Sequence, residues 1–238
     1  MIIVENKRKS IKNLIRAHPN AIIIDVTSKG KEPFIKFSPF YPHGNIPIPF
    51  SENKFSMTVE GVWQGLKVFQ DNDIDKSKFH IDNMQNIKRS EGKFGKVIGH
   101  RKGINGKELL EYGVARKEIY LRTYGWLLDN LLHGLIEELK AIAYKQDLIL
   151  LDYETNSDIE NLSKPLSHAG LIKRYIEKKY PVIASLEFSK SSNKSEIDNN
   201  VEKTFRKNKE LIKKVKAPKK TDKKKIKKSN IQLPLNYD

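Results

Sequence analysis

The sequence predicts an α+β fold: one predominantly helical domain with few strands, followed by a disordered, basic C-terminal tail. Three observations carry this. Two short β-branched or aliphatic runs, AIIIDV at 21–26 and LILLDY at 148–153, read as buried strands. Between them residues 115–145 repeat apolar side chains at helical spacing (Ile119, Leu127, Leu128, Leu131, Leu135, Leu139, Ile142). After Ser189 apolar residues become sparse, so residues 1–189 form the domain and 190–238 the tail.

Residues 6–18 predict an amphipathic helix with Ile11, Leu14 and Ile15 on one side, ended by His18-Pro19-Asn20. Residues 34–37 predict a short strand or extended segment. In FSPFYPHGNIPIPFS, Pro39, Pro42, Pro47 and Pro49 forbid a helix and impose an irregular loop. Ser56 or Thr58 can cap a helix over 59–69, with Val62, Leu66 and Phe69 as its buried stripe. Residues 75–88 predict a helix with Phe79 and Met84 inward, and SEGKFGKVIGHRKGING predicts a loop with a short strand. Gly125 and Gly134 are where the 115–145 pattern would bend or divide. Residues 166–180 predict a last helix, stopped by Pro181.

The formal charge is +16, and its distribution is uneven. From Lys190 onward there are 16 Lys/Arg against 6 Asp/Glu, which leaves the domain only mildly basic. The run 213–228, with Lys213 and Lys228 at its ends, is dense in lysine and lacks aromatics. It predicts non-specific attraction to nucleic-acid phosphates rather than base readout. The terminal NIQLPLNYD alternates Ile231, Leu233, Leu235 and Tyr237, a pattern suited to a partner's groove or sheet edge. There is no cysteine, which excludes disulfides and thiolate chemistry. No apolar run reaches the roughly 18–20 residues of a membrane helix, and the first residues lack a signal-peptide pattern. A protein made and kept in the cytoplasm, encoded by a cell or a virus, is the expectation. The six histidines show no HxxxH or HxH spacing, so no metal site is expected. No GxxxxGK[ST] or GxGxxG occurs.

The informative stretch is 38–67. Glu60, Gln64 and Lys67 stand at i, i+4 and i+7 and share one face of the predicted helix. Spacing alone also fits an ordinary solvent-facing helix surface. Trp63 reads as core or as ligand contact.

Taken together this stretch resembles the signature of the NADAR (YbiA-like) N-glycosidases. Ser38, Phe40, Tyr41 and Pro42 match that family's loop, and Thr58, Val59, Glu60, Gln64 and Lys67 match its helix. Gly61 and Gly65 fall where the family more often has His and Ala. Tyr112, Arg116 and Tyr120 keep the spacing of a second motif, with Tyr112 in place of a base-stacking tryptophan. Asp152 and Asp158 stand where a late acidic motif is expected, but Lys164-Pro165-Leu166-Ser167-His168 replaces its Trp-Gly pair. The resemblance spans roughly residues 34–172.

It implies a NADAR-type fold, no cofactor, and hydrolysis of a ribosyl C–N bond in an ADP-ribosylated, nucleotide-derived or ribosylated-base substrate. Such cleavage develops positive charge at the sugar carbon, which a carboxylate stabilises while it activates water. Glu60 is the first candidate for that carboxylate and Asp158 the second. Lys67 would protonate or stabilise the leaving group, or pair with a phosphate. Phe40, Tyr41, Trp63 and Tyr112 would sandwich a flat base. Gln64, Arg116 and Asp152 would complete the binding site, although Arg116 also reads as a surface charge and Asp152 as a turn cap. His168 is open between a general acid and a helix-start residue held by Ser167. The competing function is a non-catalytic nucleic-acid-binding accessory protein acting through its tail.

Overall fold

The structure is a computed structural model, and it describes residues 1–181. Of these, 38% are helical and 16% are in strands, so the fold is mixed helix and strand. The expectations for the tail and the terminal peptide lie outside the described residues. Among the described residues no helix is long and apolar enough to cross a membrane.

A three-stranded parallel sheet organises one side. Its strands are β1 (Ile2–Asn6), β2 (Ile22–Asp25) and β8 (Leu148–Asp152), in the order β1-β8-β2. Ile2 and Ile22 both pair with Leu148. All five residues of β8 are buried, because the strand is central and covered on both faces. One face of β8 joins the main core through Leu148 and Leu150. The other, Ile149 with Leu151, packs on Leu14 of α1 (Ile11–Ala17). Strand β1 lies where no strand was expected, and the predicted 6–18 helix begins only at Ile11. Leu14 alone of its three apolar residues is buried, since α1 covers a narrow strip of sheet.

The 34–37 segment is a 3-10 turn rather than a strand, and β3 (Ile46–Pro47) pairs with β4 (Phe55–Ser56) across the proline loop. Helix α2 (Val59–Leu66) ends three residues early. Lys67 already belongs to β5 (Lys67–Phe69), which pairs with β6 (Val97–Arg101). The predicted 75–88 helix is one 3-10 segment (Lys76–His80) leading into irregular chain. Asp75 caps the 3-10 segment, and Asn86 at φ 57° interrupts the chain beyond it. A short α3 (Glu91–Phe94) precedes β6, and β7 (Leu109–Leu110) extends that sheet.

The 115–145 pattern is real but divided. A helix starts earlier, as α4 (Tyr112–Ala115), widens to a π segment at Arg116–Leu121 and returns to α5 (Arg122–Asn130). It breaks at Leu131 and Leu132 before α6 (His133–Lys145). Ile119, Leu127, Leu128 and Leu139 are fully buried, as the stripe requires; Leu135 and Ile142 are partly buried, and Leu131 is exposed where the helix breaks. Helix α7 (His168–Ile176) is shorter than predicted at both ends and is capped by Ser167, whose Oγ accepts from the Gly170 N–H at 3.1 Å.

Candidate active site

A cleft of about 680 Å³ opens where three parts of the fold meet. One wall is α2 with the Ser38–Phe40 loop, a second is the α4–π–α5 helix, and the third is the carboxyl edge of the parallel sheet. Chain leaving β1 brings Arg8 to it, chain leaving β2 brings Thr27 and Ser28, and β8 brings Asp152, Tyr153 and Glu154. Crevices at the carboxyl ends of parallel strands are the usual ligand positions in such sheets.

Helix α2 is buried nearly all round. Its glycines explain how. A Cβ on Gly65 would lie 2.1 Å from the Phe79 ring, and one on Gly61 would lie 2.6 Å from the Lys78 carbonyl. The 3-10 segment therefore presses directly on the glycine face, and the polar face is left to the cleft. Thr58 caps the helix by accepting from the Gly61 N–H at 2.7 Å. The Glu60 N–H donates to the Pro39 carbonyl at 2.8 Å and ties the aromatic loop to the helix start.

On the cleft side Glu60 is 7% exposed and Gln64 4%. Gln64 Nε2 donates to Glu60 Oε1 at 2.8 Å, while Gln64 Oε1 accepts from the Arg89 N–H at 3.0 Å. Burial pushes the Glu60 carboxyl above the usual carboxylate range, against the opposing pull of Gln64, Lys88 and Lys67. Burial likewise lowers Lys67, with Glu60 and Glu91 pulling the other way and Arg89 and Lys88 as like charges. Lys67 Nζ lies 5.9 Å from the Trp63 ring centre, and Lys88 Nζ lies 5.4 Å from that of Phe40. Arg89 carries no sequence signal as a site residue. Its guanidinium donates to the carbonyls of Gln64 (3.2 Å), Lys67 (2.6 Å) and Asp73 (2.7 Å) and to Asn72 Oδ1, closing the end of α2.

The π segment shapes the second wall. Its wider turn keeps residues four apart closer to one line than an α-helix would, so Tyr112, Arg116 and Tyr120 all reach the cleft. Trp63 meets Tyr112 and Tyr120 edge-on at 6.0 and 5.8 Å and stacks on His100 at 3.7 Å. His100 is buried without a partner for either ring nitrogen, and desolvation, with Lys67 nearby, lowers it to about 3. It is a neutral flat backing for the indole. Arg116 spends its guanidinium on structure. It donates to the carbonyls of Ile159 (3.1 Å), Asn161 (2.8 Å) and Lys164 (2.9 Å) and to the Tyr112 hydroxyl (2.8 Å).

At the sheet edge Asp152 is 4% exposed and accepts from Ser167 Oγ (2.8 Å), His168 Nδ1 (2.9 Å) and the Ala169 N–H (3.3 Å). Burial alone would raise it, but His168 and these donors hold it at about 2.

Of the residues singled out from sequence, Phe40, Glu60, Trp63, Gln64, Lys67, Tyr112, Arg116 and Asp152 line the cleft together. Tyr41 and Asp158 do not. The Tyr41 hydroxyl turns to Glu32 Oε1 at 3.2 Å. Asp158 is exposed, and its carboxylate accepts from the Glu160 N–H at 3.0 Å, which uses it as a local turn former. Tyr120, Lys88, Arg89, Arg8 and His168 also line the cleft. Only the four-residue spacing from Arg116 pointed to Tyr120.

The fold and cleft define a mixed α/β protein with a buried carboxylate, flanking cations and an aromatic wall at a sheet edge. The chain belongs to a family of unknown function (DUF6939), which matches residues 6–172. Every residue lining the cleft falls inside that span. No curated protein and no solved structure matches the chain.

Proposed function

We propose that the protein is an N-glycosidase of NADAR-like type that hydrolyses a ribosyl C–N bond in an anionic, nucleotide-derived or ADP-ribosylated substrate. The observation that carries this is Glu60: a buried carboxylate on a cleft wall, oriented by Gln64, with Lys67 and Lys88 near enough to affect its ionisation. In the reaction the C–N bond breaks with its electron pair leaving on nitrogen. Glu60 stabilises the oxocarbenium-like sugar and takes a proton from the attacking water. Lys67, whose ammonium burial makes more acidic, supplies a proton to the departing nitrogen. Trp63, Tyr112 and Tyr120 supply flat faces and edges for a base. Arg8, Lys67 and Lys88 favour a phosphorylated substrate, because no carboxylate stands within ion-pair distance of any of them among the described residues. Asp158 takes no part in this reading.

The test is release of base or ADP-ribose from a panel of nucleotides, ADP-ribosylated nucleic acid and ADP-ribosylated peptide. Wild type should turn over at least one, and Glu60→Gln should lower that rate by about 10²-fold or more. Turnover of none, or equal rates for wild type and variant, would overturn the proposal.

A further inference from the structure

We propose that His168 is a positioning residue: as an imidazolium it straps the carboxyl ends of β2 and β8 to the start of α7, and it lets go of the β2 side when it loses its proton.

The geometry is specific. Nδ1 faces Asp152 Oδ2 at 2.9 Å and Nε2 faces the Val26 carbonyl oxygen at 2.8 Å. An ionised carboxylate and a carbonyl can only accept. Both contacts are attractive only when both ring nitrogens carry hydrogen. The ring is 8% exposed, so water does not replace either partner easily. Val26 is followed by Thr27 and Ser28, which line the cleft, so the strap sets where that edge stands. The turn is also held by Asp25, which accepts from the Thr27 N–H at 3.0 Å and from Thr27 Oγ1 at 2.7 Å, by the Val26 N–H, which donates to the Leu151 carbonyl at 3.4 Å, and by the Gly30 N–H, which donates to the Thr27 carbonyl at 2.9 Å.

Burial of the ring opposes the imidazolium, and the charges and acceptors around it outweigh that cost. Asp152 faces it from β8 and Asp25 acts on it from β2. Glu60 feels its charge from α2. Tyr124 of α5 meets it edge-on at 6.4 Å. The β1 and α6 elements that pack on α7 contribute Ile2, Ile136 and Leu139 to the shared apolar core. With its proton lost, the ring has one N–H for two acceptors. The carboxylate is the stronger acceptor and keeps it. The Nε2 lone pair then opposes the Val26 oxygen, and the Val26–Ser28 edge is released. Both ring N–H groups face protein acceptors, so neither points to a substrate while the strap holds.

The experiment is a pH titration of the full chain, labelled with ¹⁵N, monitoring histidine ring nitrogens and backbone amides by NMR. At pH 6.5 both ring nitrogens of His168 should be protonated. As pH rises the Thr27 and Ser28 amide signals should shift with the same midpoint as His168. Asp152→Asn should move both midpoints down together, because it removes the carboxylate that favours the imidazolium. A neutral single tautomer at pH 6.5, or amides that ignore the His168 titration, would overturn the proposal. Should Asp152→Asn fail to fold, the wild-type titration decides alone, and neither result depends on turnover.

Discussion

Gln64 hands its amide N–H to Glu60 at 2.8 Å while its carbonyl is held by the Arg89 backbone N–H at 3.0 Å. The amide cannot rotate without losing both bonds, so the carboxylate faces a donor of fixed polarity. In Gln64→Leu the buried Arg89 N–H loses its acceptor, at about 1–3 kcal/mol in denaturant unfolding. Glu60 loses a group that lowers its pKa, so the acidic limb of the kcat/KM profile should move to higher pH. An unmoved limb would show that Glu60 does not set it.

Glu60 also makes a stability prediction. Its folded pKa lies above its unfolded value, so the folded state holds the proton more tightly and stability falls as pH rises through that window. Glu60→Gln removes the buried charge and should therefore raise Tm at pH 8 and change it less at pH 4. Each 1 kcal/mol corresponds to roughly 2–4 °C at this size. Scanning calorimetry at the two pH values reads the difference.

Gly65→Ala should destabilise the fold by about 1–3 kcal/mol, since a Cβ would meet the Phe79 ring at 2.1 Å. Phe79→Leu in the same chain should recover part of that loss, because it removes the atoms in collision. A double-mutant cycle by urea unfolding measures the coupling, and additive costs would contradict this contact.

Arg116→Lys should behave as a severe substitution although it preserves the charge. An ammonium cannot reproduce the planar fork that serves three carbonyls and the Tyr112 hydroxyl. Loss of those bonds should cost about 3 kcal/mol or more and speed protease cutting within residues 156–166, which limited proteolysis would detect.

Asp152→Asn should cost about 3–5 kcal/mol where both partners of the pair are charged. The Asp152 share is present above its unfolded value of about 3.9 and is lost as pH falls through about 2. The His168 share is full below about 6.5 and fades as pH rises through its raised folded value. The gap between wild type and variant should be widest from about pH 4 to 6.5. Unfolding free energies at pH 2, 5 and 9 test this window.

Much of the fold was legible where period and burial agree. Residues 148–153 were readable as strand because β8 is buried on both faces, and Ile119, Leu127 and Leu139 marked the long helix. Strand β1 escaped because IIVEN is short and runs straight into polar chain, and nothing local shows that its partner lies more than 140 residues away. The apolar pair Phe79 and Met84 imitated a helix in a segment that Asn86 breaks. The Glu60–Gln64 line was legible as a line. Spacing could not show that it faces a cleft, because that depends on Gly61 and Gly65 letting a distant segment cover the opposite side. Arg89 and His168 were unreadable as partners, since the groups they bind, backbone carbonyls with the Asn72 amide for Arg89 and the Val26 carbonyl with the Asp152 carboxylate for His168, are brought together only by the fold.

The π segment at Arg116–Leu121 gives the cleft a phase. Each helical residue advances the direction of its neighbours by about 100°, and the wide turn holds one residue more than an α-helix would need there. Deleting one residue, such as the partly buried Lys117, would let the segment close into α-helix with α5 held by the core. Because the wide turn absorbs the extra residue, the helix on either side would keep its direction: Tyr112 and Tyr120 would stay on the wall, and only side chains inside the turn would change place. The chain thus carries a spacer that re-aims the side chains of one turn of the wall while the helix on both sides of it keeps its phase.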